Sequence, residues 1–312
     1  MIRAAFVAAF VVRPSGGSLY SLSTTKSEDT NFRLKAGLRT GNWTTNGRCC
    51  MASHSNGTIG LTLDDNDNRG SVARIVVDNQ SRLNILNTEL IRQLTTAVRG
   101  LAENERLRVL ILTGAGDRAF IGGADINEMV GLDRSSAREF ISRLHEACVA
   151  LRELPVPVIA RISGYCLGAG LEIAASCDLR VAADHSTFGM PEVRVGIPSV
   201  IEAALLPRLI GWGKAAELIY TGESISASEA LACGLVQRVA PFAELDQTVE
   251  RWTEAILDNG PEALRLQKAL MREWERLPLD HAIERGVESF VEAYETDEPQ
   301  EMMNRFISRR RK

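Results

Sequence analysis

Val158-Ile159-Ala160-Arg161-Ile162-Ser163-Gly164-Tyr165-Cys166-Leu167-Gly168-Ala169-Gly170-Leu171-Glu172 is the stretch whose reading decides the fold. Val158–Ile162 is a short, mostly apolar and β-branched run, the kind buried on both faces of a parallel sheet. Glycines and alanine then make a tight turn, and Leu171–Cys177 continues as an apolar helix. Strand, turn and helix in succession make an α/β unit. Small residues in such a turn let a ligand approach the backbone. The first N–H groups of the helix have no acceptor within it, and the helix dipole is positive there. Donors of that kind suit a developing oxyanion. Glu172 falls in the same first turn, so a carboxylate stands beside the donors.

A second carboxylate sits in similar company. Phe188-Gly189-Met190-Pro191-Glu192 surrounds Glu192 with apolar and small residues, where a surface acid would have polar neighbours. Two acids in apolar surroundings have pKa values pushed above the usual value of about 4.3 and apart from each other. Such a pair can give and take protons near neutral pH. Upstream, Ala119-Phe120-Ile121-Gly122-Gly123-Ala124-Asp125-Ile126 follows the strand Leu107–Thr113 and offers a second run of small residues before a second helix. Backbone N–H groups from the two loops can clamp one carbonyl oxygen. Taken singly, each loop is also an ordinary βα turn, and a Glu in a first helical turn also serves to oppose the dipole.

The body alternates strand and helix. Thr58–Leu63 and Val72–Val77 flank the polar turn Asp64–Gly70 and predict a hairpin. Leu90, Ile91, Leu94, Val98 and Leu101 have helical spacing within Thr88–Leu101. Ser135–Leu154 predicts a helix stopped by Pro155 and Pro157, and Leu179–Ala183 another buried strand. Ala215–Tyr220 and Ser226–Cys233 read as helices and Leu235–Val239 as a strand. Beyond Phe242 the chain is nearly all helical: Leu245–Leu257, Pro261–Leu277, Leu279–Tyr294 and Pro299–Arg309. The apolar stripe Ile283, Val287, Phe290 and Val291 belongs to helices that cap the core or pack on another subunit.

The 312 residues, 45% hydrophobic and 24% charged, are ample for a large core. Net charge is −4, unevenly spread: residues 1–60 hold seven Lys/Arg and two Asp/Glu, so the remainder carries −9. An acidic body argues against nucleic acid as the main ligand. The six cysteines form no CxxC pair, and no His lies at zinc-ligand spacing from them, so they read as buried reduced thiols, with no metal site expected. Residues 1–57 scatter Arg3, Arg13, Arg33, Lys35, Arg39 and Arg48 among Ser, Thr, Gly and Asn, the composition of a mitochondrial transit peptide. The apolar run Ala4–Val12 is too short to span a bilayer, and no membrane association is expected. Met51 as the true start would remove the leader and imply a cytoplasmic protein.

In these motifs the chain resembles the enoyl-CoA hydratase/isomerase (crotonase) family. The matching stretches are Arg118–Ile126, Pro157–Ala160, Gly164–Glu172, Cys177-Asp178, Phe188–Glu192, Leu206–Gly211, Thr221–Ala227 and Ala232–Val236, in family order over roughly residues 58–312. The resemblance implies an α/β fold, a spiral of ββα units with a C-terminal helical region. The expected division is a leader over 1–57, a spiral core over 58–245 and a helical region over 246–312 for capping and oligomerisation. It implies an acyl-CoA substrate, no cofactor beyond the CoA of that substrate, and homotrimers paired into homohexamers. It implies hydration of a trans-2-enoyl-CoA to a 3-hydroxyacyl-CoA, in mitochondrial fatty acid metabolism and β-oxidation. The thioester oxygen would be held by the N–H groups of Ala124 and Ala169, with Gly122, Gly123, Asp125, Ile126 and Gly168 bordering the substrate. Glu172 would activate water for attack at C3 and Glu192 would supply the proton to C2, although sequence leaves that allocation open and the pair can titrate as a unit.

The pattern departs at one place. After Gly-x-Pro-Glu the family usually has Gly-x-Ile-Pro-Gly-Ala-Gly-Gly-Thr; here the run is Gly196-Ile197-Pro198-Ser199-Val200-Ile201-Glu202-Ala203, without the later glycines. Ser199-x-x-Glu202 matches a helix capping box, which favours a cap over a third catalytic acid for Glu202. Bulkier Val200 and Ile201 bear on acyl-chain selection. Alternatives follow from single features. A Δ3-Δ2-enoyl-CoA isomerase of the same family needs only one acid. Gly114-Ala115-Gly116-Asp117-Arg118-Ala119 resembles a dinucleotide fingerprint and would serve an NAD-linked oxidoreductase if a helix began before Gly122. A non-catalytic RNA-binding relative would need a Lys-rich helix, whereas Thr88–Glu103 has only Arg92 and Arg99. No G-x-S-x-G supports a serine hydrolase, and the adjacency of Asp184, His185 and Ser186 says nothing about a triad. His145 and His281 read as surface or packing residues.

Overall fold

The computed structural model describes residues 57–309 and the backbone of Cys49–Cys50. The expected leader lies otherwise outside the described residues. Strand β1 (Cys49–Cys50) pairs antiparallel with β2 (Thr58–Asp65). β2 forms the expected hairpin with β3 (Ser71–Asp78), in register from Thr58↔Asp78 to Asp65↔Ser71. Helix α1 (Thr88–Leu101) follows, its N-cap Asn87 side chain accepting from the Leu90 N–H at 2.8 Å. The five apolar positions that predicted the helix are all buried.

Three successive turns of the chain then repeat one plan. β4 (Leu107–Gly114) leads to β5 (Ala119–Ile121), then to the one-turn α2 (Ile126–Met129) and the long α3 (Arg134–Glu153). β6 (Val158–Ile162) leads to β7 (Tyr165–Leu167) and α4 (Ala169–Ser176). β8 (Leu179–Ala183) leads to β9 (Thr187–Gly189) and, past two 3₁₀ turns, to α5 (Leu206–Thr221). β10 (Ser224–Ser226), α6 (Ala227–Ala232) and β11 (Arg238–Ala240) close the sheets. The first strand of each turn enters a seven-stranded sheet of order β1-β2-β3-β4-β6-β8-β11, and the second enters a four-stranded sheet of order β10-β9-β7-β5. This is the expected spiral of ββα units.

Alternation along the larger sheet sorts its side chains between two cores. Ile75, Leu110, Leu112, Val158, Ala160 and Ala182 face α1, α3 and α4. Val109, Ile111, Ile159, Val181 and Ala183 face the other way, where Leu245, Val249, Ile256 and Leu257 of α7 (Leu245–Asp258) cover them. Each Val, Leu or Ile side chain so withdrawn from water contributes about 1.5–3 kcal/mol, and the alanines less. Beyond α7 come α8 (Pro261–Trp274), α9 (Leu279–Glu292) and α10 (Glu298–Arg309). The stripe on α9 stays uncovered: Ile283, Val287, Phe290 and Val291 are all exposed.

Several expectations need correcting. The smaller sheet was not foreseen: Tyr165–Leu167 reads in sequence as part of a turn, yet it is a strand paired with β5 and β9. The strand expected over Leu235–Val239 lies at Arg238–Ala240. The helix expected over Ala215–Tyr220 is the end of α5, which bends at Gly211. The dinucleotide reading fails on its own criterion, since Ala119–Ile121 is a strand and the next helix starts at Ile126.

Candidate active site

β5, β7 and β9 run parallel, with one register shift between Ala119 and Ile121 of β5; Ile121 lies beside Cys166, Cys166 beside Phe188, and Leu167 beside Gly189. Their C-terminal ends therefore open on one edge, the usual place for a ligand in a parallel sheet. The segments that leave that edge are the three singled out from sequence: Gly122–Asp125, Gly168–Glu172 and Met190–Glu192.

The first loop is fixed from below. Gly122 donates its N–H to the Leu83 carbonyl at 2.9 Å, Leu86 donates to the Gly123 carbonyl at 2.9 Å, and Asp125 donates to the Leu86 carbonyl at 2.8 Å. In this parallel bridge the residue between the two bonds, Ala124, points its own N–H away from Leu86. Gly123, at φ +125°, runs beside the second turn: a Cβ added there would lie 3.6 Å from the Leu167 carbonyl. Asp125 and Ile126 have a different standing. The Asp125 carboxylate is buried, caps α2 through the Asn127 N–H at 3.0 Å and meets Arg82 at 2.8 Å, so it holds the loop's shape. Ile126 is half-exposed at the start of α2.

The second turn hinges on Gly168, whose φ of +51° and ψ of −120° suit glycine alone. Its N–H donates to the Gly189 carbonyl at 2.9 Å, and its carbonyl accepts from Leu171 and Glu172 at 2.8 and 3.0 Å. The Ala169 N–H is the first of α4 and has no acceptor inside the helix. Ala124 and Ala169 thus present amides from two adjoining backbone runs, as a clamp for one carbonyl oxygen requires.

Both acids reach this place. Glu172 is 4% exposed, on a helix buried along its whole length. Burial, with the Glu192 charge adding to it, pushes its carboxyl up to about 8, and the Glu202 charge contributes in the same direction. The Ala203 N–H, donating to Glu172 Oε1 at 3.3 Å, works against them. Glu192 is half-buried and its carboxyl is also raised by burial, while the Ser199 hydroxyl, donating to Oε2 at 2.8 Å, favours its charged form. Glu192 Oε1 lies against the oxyanion turn, 2.5 Å from where a Cβ on Gly168 would stand. Burial raises both carboxyls, and the Glu192 charge further favours the protonated form of Glu172.

The capping-box expectation for Ser199 and Glu202 is not met. The 3₁₀ turn starts after Val200, without a side-chain cap; Ser199 instead turns to Glu192, and Glu202 is buried and accepts from His145 Nδ1 of α3 at 2.9 Å. His145, expected as a surface or packing residue, does stand half-exposed on α3 and in addition partners a buried acid. Sequence reading missed Ser199, Ala203 and His145 as neighbours of the site, and only the loss of the family's glycines marked that segment. His185 meets Ser163, not Ser186, and both bond the Asp117 carbonyl, at 3.1 and 3.0 Å, so this contact pins a loop. A separate cavity of about 250 Å³ opens between Gln80–Asn84 and Ala115–Ala119 and contains neither glutamate. Among the described residues no helix is long and apolar enough to cross a membrane.

Residues 67–312 match the family described as enoyl-CoA hydratase/isomerase. The chain is 35% identical over 246 residues to a short-chain-enoyl-CoA hydratase of Clostridium acetobutylicum, covering 78% of this chain and 94% of the relative. It is 32% identical over 247 residues to a probable mitochondrial enoyl-CoA hydratase of Dictyostelium discoideum, covering 78% and 87%. Among solved structures it resembles an enoyl-CoA hydratase from Bacillus anthracis, with a TM-score of 0.75 and 33% identity over 80% of this chain and 96% of that one.

Proposed function

This chain belongs to the enoyl-CoA hydratase/isomerase family, and from that premise we propose that it adds water across the double bond of a trans-2-enoyl-CoA to give the 3-hydroxyacyl-CoA. The observation that carries the reading is the pairing of Glu172 with Glu192 at the amides of Ala124 and Ala169. The thioester oxygen accepts from the two amides, which gather the enolate charge as it forms. One carboxyl takes a proton from water as its oxygen bonds to C3, and the other delivers a proton to C2. Glu192 lies against the oxyanion turn, and C2 is bonded to the carbon whose oxygen that turn holds, so Glu192 serves C2 and Glu172 serves the water. Hydration needs one of the two carboxyls ionised to take the water's proton and the other protonated to supply C2. Isomerisation moves a proton between C2 and C4 with one acid, and the presence of two coupled acids favours hydration.

The finer setting is also a proposal. The Arg-, Ser- and Thr-rich residues 1–57 support a mitochondrial matrix location and a step of β-oxidation, testable by fractionating cells that express the full chain. The exposed stripe on α9 supports a homotrimer or homohexamer. Val200, 39% exposed and next in sequence to Ser199, and Ile201 are where acyl-chain selection would be set.

The test is a series of 2-enoyl-CoAs of increasing chain length, followed by loss of the conjugated thioester absorbance, with Glu172→Gln and Glu192→Gln beside the parent. Each variant should lose about 100-fold or more in kcat, the usual cost of removing a general acid or base. Near-parental hydration by both variants would remove the site assignment.

A further inference from the structure

One five-residue segment touches both acids. Ser199 Oγ donates to Glu192 Oε2 at 2.8 Å, and four residues later the Ala203 N–H donates to Glu172 Oε1 at 3.3 Å. Between them Ile201 has φ +39°, in the left-handed region that a β-branched side chain avoids. Such a backbone persists only where its surroundings hold it. The Ile201 side chain packs on the hydrophobic core, and Ala203 is buried. Glu202 supplies the remaining hold. Its carboxylate is 6% exposed and accepts from His145 Nδ1, 2.9 Å from Oε1 and 3.1 Å from Oε2, which ties the turn to α3. The buried Cys148 thiol of the same helix also bonds Glu202, so α3 holds the turn through a half-exposed imidazole and a buried thiol.

We propose that Ser199–Ala203 is a brace that sets the two acids relative to one another, with Ser199 a positioning residue for Glu192, the Ala203 amide doing the same for Glu172, and His145–Glu202 the pin that holds the brace on α3. The brace rests on the reading that both glutamates act on the substrate. It occupies the run Gly196–Ala203, where Ser199, Val200, Ile201 and Glu202 stand in place of the glycines that the resemblance leads one to expect. The groups facing Glu172 are Glu192, Glu202 of the 3₁₀ turn and the buried Cys148 thiol of α3. Glu192 is faced by Glu172 and the Ser199 hydroxyl.

The test uses the full chain with a 2-enoyl-CoA that the parent hydrates. Ser199→Ala should lower kcat about tenfold, the worth of one hydrogen bond, with KM changed less than twofold. The limb of its pH–rate profile that belongs to Glu192 should move to higher pH, because the hydroxyl no longer favours the carboxylate. Ser199→Thr, which keeps a hydroxyl, should restore both. His145→Ala should lower kcat and raise the Glu172 limb as the Ala203 amide drifts, and His145→Gln, which keeps an N–H donor, should recover. Parental kcat and pH profile in both alanine variants, with the glutamate variants still inactive, would overturn the brace. Should His145→Ala fail to fold, Ser199→Ala decides alone. If the parent hydrates no enoyl-CoA, the proposed function fails separately. Carboxyl-carbon NMR of Glu192, assigned by Glu192→Gln, then reads the brace directly: an unchanged Glu192 titration in Ser199→Ala overturns it, and a raised one supports it.

Discussion

Glu172 keeps a carboxyl in a place that disfavours its charge, and that should appear in stability as well as in rate. Its folded-state pKa of about 8 lies above the ordinary 4.5. The folded chain therefore binds this proton more tightly than the unfolded chain does, and stability falls as pH rises through the window from about 4.5 to 8. The raised Glu192 carboxyl adds to the same slope. Glu172→Gln removes the larger contribution. The variant should match the parent below about pH 4.5, gain on it through the window, and end above pH 8 more stable by a few kcal/mol at most. Denaturant melts at closely spaced pH values would measure this; a parent and variant with parallel pH profiles would sink the idea. Function would then be lost and stability gained by one change.

At the scale of elements, the strands and helices with a clear period were legible. The β2–β3 hairpin, the buried strands β4, β6 and β8, and α1 with its apolar face all stand where alternation or helical spacing placed them. The three-residue strands β5, β7 and β9 were not, because a period cannot be read from three residues and their identity comes from pairing with distant partners. The site divided in the same way. Glu172, Glu192 and the amide turns announce themselves locally, whereas His145 meets Glu202 across 57 positions and leaves no local trace. Other long-range ties bind the elements. Lys268 of α8, 7% exposed, donates to the Leu151 and Val156 carbonyls at 3.3 and 2.8 Å and to Asp178 Oδ2 at 2.8 Å, between α4 and β8. Lys268→Met leaves two carbonyls and a carboxylate oxygen without this donor and should cost about 2–4 kcal/mol. A melting temperature within a degree of the parent would show that water replaces the lysine.

At the scale of the whole molecule, the surface of α9 is the outstanding debt. Leu279, Ile283, Val287 and Phe290 are 75%, 61%, 59% and 66% exposed, a contiguous apolar face of the kind single chains rarely leave in water. A charge at its centre should be felt in assembly before it is felt in folding. Phe290→Glu should lower the mass seen by light scattering while leaving the circular dichroism of the chain intact. An unchanged mass would place the subunit contact elsewhere.

The edge formed by β5, β7 and β9 has one more consequence. Each coil of the chain lends a single lip to the opening, and none of the lips is contiguous with the next along the backbone. Lengthening one, by insertion between Met190 and Ser199 for instance, would resize the mouth without rethreading the coils behind it. Variety in what enters can accumulate lip by lip on an unaltered winding.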